Sequence, residues 1–294
     1  MRVSVIITTY NQPEQLEKVM WGYATQRDAR FELIVADDGS GPLTSEVIDR
    51  VASATGLDVL HVWHEDHGFR KTEILNRAIL AASGEYLIFS DGDCIPRDDF
   101  VASHVRLAEP RSFLSGGYIK LPLEVSASIS VDDIRTRRAT NARFLKAAGW
   151  HPGKRALRLA RNRLVATIMD TITPTRRTWN GHNSSVWREA ILAVNGFDSD
   201  MGYGGLDRAL GERLINSGVH GKQVRHRTPC LHLHHDRPYV DAGRWKRNHE
   251  IRKRIRANGE TRARQGIAEL PQDDSVMIRR AGEEPVETRV AAAL

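Results

Sequence analysis

This 294-residue sequence predicts an α/β protein built on a mostly parallel sheet covered by helices on both faces. Two observations carry that expectation. Short, near-continuous apolar runs alternate with longer amphipathic ones over the first ninety residues, as buried parallel strands alternate with covering helices. The strand-like runs also end in polar, acidic clusters, and a parallel sheet gathers its strand ends on one edge, where such sheets bind ligands.

The elements follow in order. Residues 3–9 (VSVIITT) read as a buried strand, ended by Tyr10-Asn11-Gln12-Pro13. Pro13 suits a helix start, and Leu16, Val19 and Met20 then share a face. A strand at 31–36 stops at Asp37-Asp38-Gly39-Ser40-Gly41-Pro42, a helix spans 44–54, and 58–63 is a third strand. Ile74, Leu75, Ala78, Ile79 and Ala82 mark a helix over 71–83, closed by Gly84; 85–90 is the fourth strand, ending at Asp91-Gly92-Asp93. After Ser115-Gly116-Gly117-Tyr118 the pattern changes to a mostly helical, Arg-rich stretch over 131–171, with Leu157, Leu164, Val165 and Ile168 as an apolar stripe. Residues 179–187 are strand-like, helices are expected near 188–195 and 207–217, a strand at 229–233 and a basic helix at 243–258. The last 30 residues are polar, aperiodic and expected to be largely disordered.

The net charge of +6 conceals a division. Residues 131–178 hold 12 Lys/Arg against 3 Asp/Glu, and residues 241–264 hold 9 against 3, so everything else is net acidic at −9. Neither basic segment carries paired Cys/His or an aromatic RNA-binding strand, which argues against nucleic acid as partner. No run approaches the roughly 18 apolar residues of a membrane span. The N-terminus lacks a signal-peptide pattern, and two cysteines, Cys94 and Cys230, make no disulfide framework, so a cytoplasmic location is the expectation. In the basic insertion, an apolar stripe beside many arginines suits an anionic acceptor or peripheral contact with an anionic inner membrane face; a helical hairpin with a solvated cationic face is the alternative.

Asp91-Gly92-Asp93 places two carboxylates one residue apart at a strand end, where both reach a single hard cation. Read alone, the triplet is also an ordinary turn. Together, Ile-Thr-Thr-Tyr-Asn at 7–11, Val-Ala-Asp-Asp-Gly-Ser at 35–40, Asp-His-Gly-Phe-Arg-Lys at 66–71 with Asn76-Arg77, and Phe-Ser-Asp-Gly-Asp at 89–93 resemble family 2 glycosyltransferases. Gly196-Phe197-Asp198 and Gly202-Tyr203-Gly204-Gly205-Leu206-Asp207 resemble the C-terminal motif of galactosyl- and N-acetylgalactosaminyltransferases, bacterial chondroitin polymerases included. The likeness covers about 185 residues, roughly 1–120 and 176–240.

That resemblance implies the GT-A nucleotide-sugar transferase fold and an inverting, metal-dependent hexosyltransferase. The donor would be a UDP-sugar of galactose/N-acetylgalactosamine or glucose/N-acetylglucosamine type, and the acceptor a glycan, lipid-linked or small-molecule hydroxyl. It implies that Thr8, Tyr10 and Asn11 line the nucleotide pocket, and that Asp37 or, preferably, Asp38 binds the uracil. Arg70 or Lys71 would contact base or phosphate, Asp91 the ribose and metal, and Asp93 the Mn²⁺ or Mg²⁺ ion itself. Among His232, His234 and His235, the last is the implied metal ligand; on a continuous strand, 232 and 234 would share one face and 235 would point away. His61, His64 and His67 lie at a strand end without a cysteine pair and are not read as metal ligands. Locally Asp207 reads as a helix cap; its match to the family's Gly-Gly-Glu-Asp pattern implies the general base, with Leu206 replacing the Glu. That replacement raises a second reading, a non-catalytic nucleotide-sugar binder, which Asp91, Asp93 and Asp207 oppose. Trp179, Asn183 and Gly205 are the expected acceptor contacts, and Trp187 is expected in the core. The expected division is a nucleotide-sugar-binding half at 1–120, a basic helical insertion at 121–178, an acceptor-binding and catalytic half at 179–240, a basic helix at 241–264 and a disordered tail at 265–294.

Overall fold

The computed structural model describes residues 1–151, 153–235, 242–273 and 275–283. The predicted first half forms as expected: β1 (Val3–Thr9), α1 (Pro13–Ala24), β2 (Glu32–Asp37), α2 (Pro42–Thr55), β3 (Val59–Trp63), α3 (Lys71–Ala81) and β4 (Tyr86–Asp91). β1 lies at its centre, parallel to β2 on one side and β4 on the other, and β3 extends the parallel set beyond β2. The strands are apolar throughout because each buries both faces. Val5, Ile7, Leu33, Val35 and Ile88 enter one core, while Ile6, Ile34, Ala36, Leu87 and Phe89 enter the opposite one.

Three short strands that the sequence pattern did not reveal come next: β5 (Cys94–Pro96), then, after α4 (Phe100–Leu107), β6 (Ser112–Ser115) and β7 (Gly117–Lys120). The insertion is less regular than one long helical stretch. It comprises α5 (Leu123–Ser128), α6 (Val131–Arg135), α7 (Ala142–Ala147), a 3-10 turn over Gly153–Leu159 and α8 (Arg163–Ile172). Beyond it run β8 (Asn183–Trp187), α9 (Arg188–Ala193), α10 (Leu206–Asn216), β9 (His220–Gln223), β10 (Pro229–His232) and α11 (Ala242–Asn258). β8 pairs antiparallel with both β4 and β6, so residues from the two expected halves share one eight-stranded sheet. A second sheet of three strands has β10 between β5 and β7.

The expected disorder of 265–294 is corrected over its first part. Residues 267–269 form a 3-10 turn, and β11 (Met277–Arg280) pairs antiparallel with β3. Arg279 secures this edge by pairing with Asp49 at 2.7 Å and donating to Ser45 at 2.6 Å. Residues 284–294, which include the terminal VAAAL, lie outside the described residues.

At the end of the sheet remote from the strand C-termini, Ser4 donates to Glu32 at 2.5 Å, while the Ser83 and Gly84 amides donate to Glu32 at 2.7 Å and to Ser4 at 2.8 Å. A methyl group on Gly84 would lie 2.5 Å from the Ser4 amide nitrogen, against backbone that has nowhere to move. Gly84→Ala is therefore expected to destabilise the protein by about 1–3 kcal/mol through overpacking, read as a lowered denaturant midpoint with an unchanged slope.

Candidate active site

The parallel register dictates the first part of the site. Thr8 lies opposite Asp91, and its hydroxyl donates to the Asp91 carboxylate at 2.8 Å. The chain then turns so tightly that the Gly92 amide donates to the Thr8 carbonyl at 2.7 Å, and a Cβ at Gly92 would stand 2.8 Å from that oxygen. Lys71, the first residue of α3, pairs with Asp91 at 2.7 Å. Burial works against the Lys71 charge, but Asp91, Asp207 and Asp93 outweigh it and hold its pKa above the ordinary value. Burial likewise opposes the Asp91 charge, and Lys71 reverses the balance, keeping Asp91 below the usual carboxylate range.

The second part comes from the small sheet. Its register sets His232 opposite Cys94, which brings the ring against Asp93. β10 stops at His232, so the strand geometry expected for the histidine cluster does not extend to His235. Instead, His232 and His235 stack with ring centroids 5.3 Å apart, and their Nε2 atoms lie 3.7 and 3.1 Å from Asp93. Nδ1 of His232 sits 2.7 Å from the Leu233 carbonyl and donates to it, which leaves a lone pair on Nε2. Asp93, Cys94 and His232 bring ligand atoms within 4.8 Å of one another. Burial pushes the Cys94 thiol well above its ordinary value, with Cys230 and Asp93 acting in the same sense, so it stays protonated. The remaining carboxylate and imidazole donors suit a divalent cation such as Mn²⁺. The backbone amide of His234 donates to Ser126 at 2.9 Å.

Asp207 completes the acidic set from the opposite side, in the first turn of α10 directly after Gly205. Its Oδ1 is buried and makes no hydrogen bond among the described residues. Burial raises its pKa to about 6; Asp91 pushes the same way, while Lys71, the Gly181 amide and Arg208 resist. The preceding loop is held from α11: the side-chain amide of Asn248 donates to the carbonyls of Gly202, Tyr203 and Gly204 at 3.0, 3.1 and 2.7 Å. Glu212 of α10 pairs with Arg252 and Arg256 of α11.

Several expected contacts are diverted. Asp37 is fully buried, accepting from the Ser40 amide at 2.9 Å and pairing with His61 at 3.0 Å, so it is structural and does not reach a uracil. Asp38 pairs with His64 at 2.8 Å and accepts from the Arg70 amide at 3.1 Å; burial raises its pKa against those partners. The guanidinium of Arg70 turns to Glu73, Asp273 and the Glu65 carbonyl. Tyr10 is 46% exposed and donates to Asp66 at 2.8 Å, and Asn11 latches two loops by accepting from the Gly41 amide.

The acceptor expectations for Trp179 and Asn183 are overturned. Trp179 is 0% exposed, edge-on to Phe89 and beside Phe113, so no ring face is open to a sugar. Asn183 is equally buried, pairing with His104 and donating to the carbonyls of Gly117 and Thr228. Residue type alone did not separate buried from exposed here. Trp187 packs edge-on against Tyr86, on the core as expected. The neighbour of Asn183, His182, was missed: it packs edge-on to Tyr118 at 4.4 Å and feels Asp91 and Asp93. Burial, with His232 and Arg225, lowers its pKa to about 4, so it is a neutral hydrogen-bonding group at pH 7. Its only sequence signal was its place in the run Trp179-Asn180-Gly181-His182-Asn183.

Residues 4–120 match the family model Glycosyl transferase family 2. Among characterised proteins, the chain is 28% identical over 227 residues to validoxylamine A glucosyltransferase of Streptomyces hygroscopicus subsp. jinggangensis, covering 74% of this chain and 52% of that one. It is 33% identical over 101 residues to glycosyltransferase AglE of Haloferax volcanii, covering 34% and 33%. The chain thus spans about half the length, or less, of these curated relatives. Solved structures of like fold include the mannosyltransferase PcManGT of Pyrobaculum calidifontis in complex with GDP-Man and Mn²⁺, with TM-score 0.52, 22% identity and coverage of 81% and 58%. S. aureus TarS (residues 1–349) in complex with UDP-GlcNAc gives TM-score 0.56 at 14% identity, covering 92% and 69%. The fold is the GT-A fold.

With Trp179 in the core, Trp179→Ala should cost about 3–5 kcal/mol of folding stability. Chemical denaturation checks this; an unchanged midpoint with weakened acceptor affinity would return the ring to the site.

Proposed function

We propose, for a chain whose residues 4–120 are a family 2 glycosyltransferase domain on a GT-A fold, an inverting hexosyl transfer from a UDP-sugar to a hydroxyl acceptor. The acceptor class is a glycan, a lipid-linked or a small-molecule hydroxyl. The observation that carries the reading is Asp207: a half-buried residue whose carboxylate Oδ1 is buried without a hydrogen-bond partner among the described residues, raised to about 6 and electrostatically coupled to the Lys71–Asp91 pair. Its function as a base requires the ionised form, which its pKa still provides at pH 7.

Asp207 would take the proton from the acceptor hydroxyl as that oxygen bonds to the anomeric carbon. The anomeric bond to the diphosphate breaks in the same displacement, its electron pair leaving with UDP. Asp93, His235 and His232, with Asp91 nearby, are the residues that would hold Mn²⁺ or Mg²⁺. Such an ion supplies positive charge against the departing diphosphate. Lys71 fixes Asp91 and tempers the repulsion between Asp91 and Asp207. Asp38 and Tyr10 line the nucleotide side in this reading, and Gly205 the acceptor side. Galactose and glucose, with their N-acetylamino forms, are the candidate sugars; the glucosyltransferase relative supports a hexose donor.

Incubation with a panel of UDP-sugars and Mn²⁺ should show one hydrolysed or transferred, and no turnover of any would oppose the proposal. Asp207→Asn should lower kcat/KM about 10²–10⁴-fold. In the wild type kcat/KM should fall with decreasing pH through about 6, as the base gains its proton. Stability runs the other way. Between the ordinary carboxylate value and about 6 the folded state binds the proton more tightly, so stability declines as pH rises through that window. Asp207→Asn should flatten both profiles. Asp93→Ala should weaken UDP–Mn²⁺ binding measured by calorimetry, whereas Asp207→Ala should leave it nearly intact; equal binding by both variants would remove Asp93 from the cation site.

A further inference from the structure

α8 is turned inside out relative to an ordinary surface helix. Its buried positions are Ala166 and Asp170, one turn apart, while Leu164, Val165, Ile168 and Ile172 on the other side are 69%, 37%, 49% and 64% exposed. The inward anchor is polar: Asp170 pairs with Arg227 at 2.7 Å and accepts from the His226 amide at 2.8 Å, and Gln223 donates to the Asp170 carbonyl at 3.1 Å. A soluble helix ordinarily places its apolar stripe on the core. Here hydrogen bonds and ion pairs hold the helix down and the stripe faces outward.

Beside the N-terminal turn of α8 opens a cleft of about 200 Å³. Five arginines line it, Arg97, Arg106, Arg161, Arg163 and Arg227, with Asp99 the one acidic residue. Arg97, Arg161 and Arg227 are engaged by Asp99, Asp98 and Asp170. Arg106 and Arg163 make no ion pair among the described residues. Partial burial and the facing cations Arg163, Arg227 and Arg97 depress the Arg106 pKa, with Asp99 opposing them, so the cleft holds more positive charge than its own carboxylates balance.

We propose that α8 and this cleft form a docking site for an anionic phospholipid bilayer, with a lipid phosphate in the arginine cleft and Leu164, Val165, Ile168 and Ile172 entering the interfacial layer. Two features select a bilayer over a free anion or a second protein copy. The apolar stripe and part of the cationic cleft belong to one helix, since α8 supplies Arg163, Ala166 and Thr167 to the cleft lining, so a surface that carries both apolar chains and phosphates offers a partner to each. The stripe also lies in a segment, 131–178, with 12 Lys/Arg against 3 Asp/Glu, a charge that repels an identical copy and attracts an anionic leaflet. No helix among the described residues is long and apolar enough to cross a membrane.

The test is co-sedimentation of the full chain with vesicles of phosphatidylglycerol and phosphatidylcholine in equal parts, against vesicles of phosphatidylcholine alone. Binding is expected to the first and not the second, and to weaken at high salt. Arg106→Glu with Arg163→Glu should lower partitioning about tenfold or more, and so should Ile168→Asp. Ile172→Asp, at a 64% exposed position, provides a second apolar variant that leaves packing undisturbed. Thermal unfolding midpoints equal to wild type establish that the variants fold. Equal sedimentation with both vesicle types, sedimentation with neither, or wild-type binding by folded variants would overturn the proposal. A wild-type dimer in light scattering that Ile168→Asp converts to monomer would also overturn it, by showing a second copy on the stripe.

Discussion

The half-buried ammonium of Lys71 stands among the carboxylates of Asp91, Asp93 and Asp207. The acidic crevice depends on it. Like charges at close range in a poorly solvated pocket push one another toward protonation, and a cation among them restores ionisation selectively. Asp91, in direct contact with Lys71 and Thr8, stays ionised, whereas Asp207, farther from that relief, rises to about 6. Two carboxylates of the same chemistry thereby differ in proton affinity because of one side chain's reach. The position of that side chain follows in turn from α3 starting where the β3 connection ends, beside the C-terminal ends of β1 and β4.

The layer beneath the crevice uses a different device. Asp37 and Asp38 each pair with a buried histidine, and the Ser40 and Arg70 amides take further lone pairs. These contacts fix the loop after β2 and the start of α3 against each other. On the far side of the crevice, Asn248 does the same for the loop before α10 by binding three successive carbonyls. The acidic cluster lies between two braced loops, an arrangement that keeps its geometry from drifting.

Most of the parallel half was legible because its strands bury both faces, and continuous apolar runs bounded by polar turns have few other uses. Asp91 and Asp93 stood out because they stand at the end of an apolar strand, β4, whereas Asp207 and His235 were singled out only through the family resemblance. Strands such as β6, β7 and β11 were not legible: four residues leave no period to detect, and β11 reads Met-Ile-Arg-Arg. Trp179 and Asn183 misled for a chemical reason. A tryptophan that packs on Phe89 and an asparagine that bridges Gly117 to Thr228 are the residue types that also grip a sugar, and only burial separates the two uses. His182 and Asn248 gave no signal beyond their neighbours, because their roles arise from tertiary contacts.

The order of strands across the large sheet also bears on how the chain must be made. Residues 1–91 supply β1 to β4, a four-stranded parallel array whose flanks are β3 and β4. The partner of β4 arrives with residues 183–187, and the partner of β3 only with residues 277–280. During synthesis this array would therefore exist for a long interval with two bare rows of backbone donors and acceptors, the geometry that invites strand addition from another nascent chain. Closure by such distant segments slows folding as well, since the entropy of a very long loop is lost before its contacts form. The ion pair of Arg279 with Asp49 then works as a late seal on an edge that stays vulnerable until residues 277–280 have been synthesised.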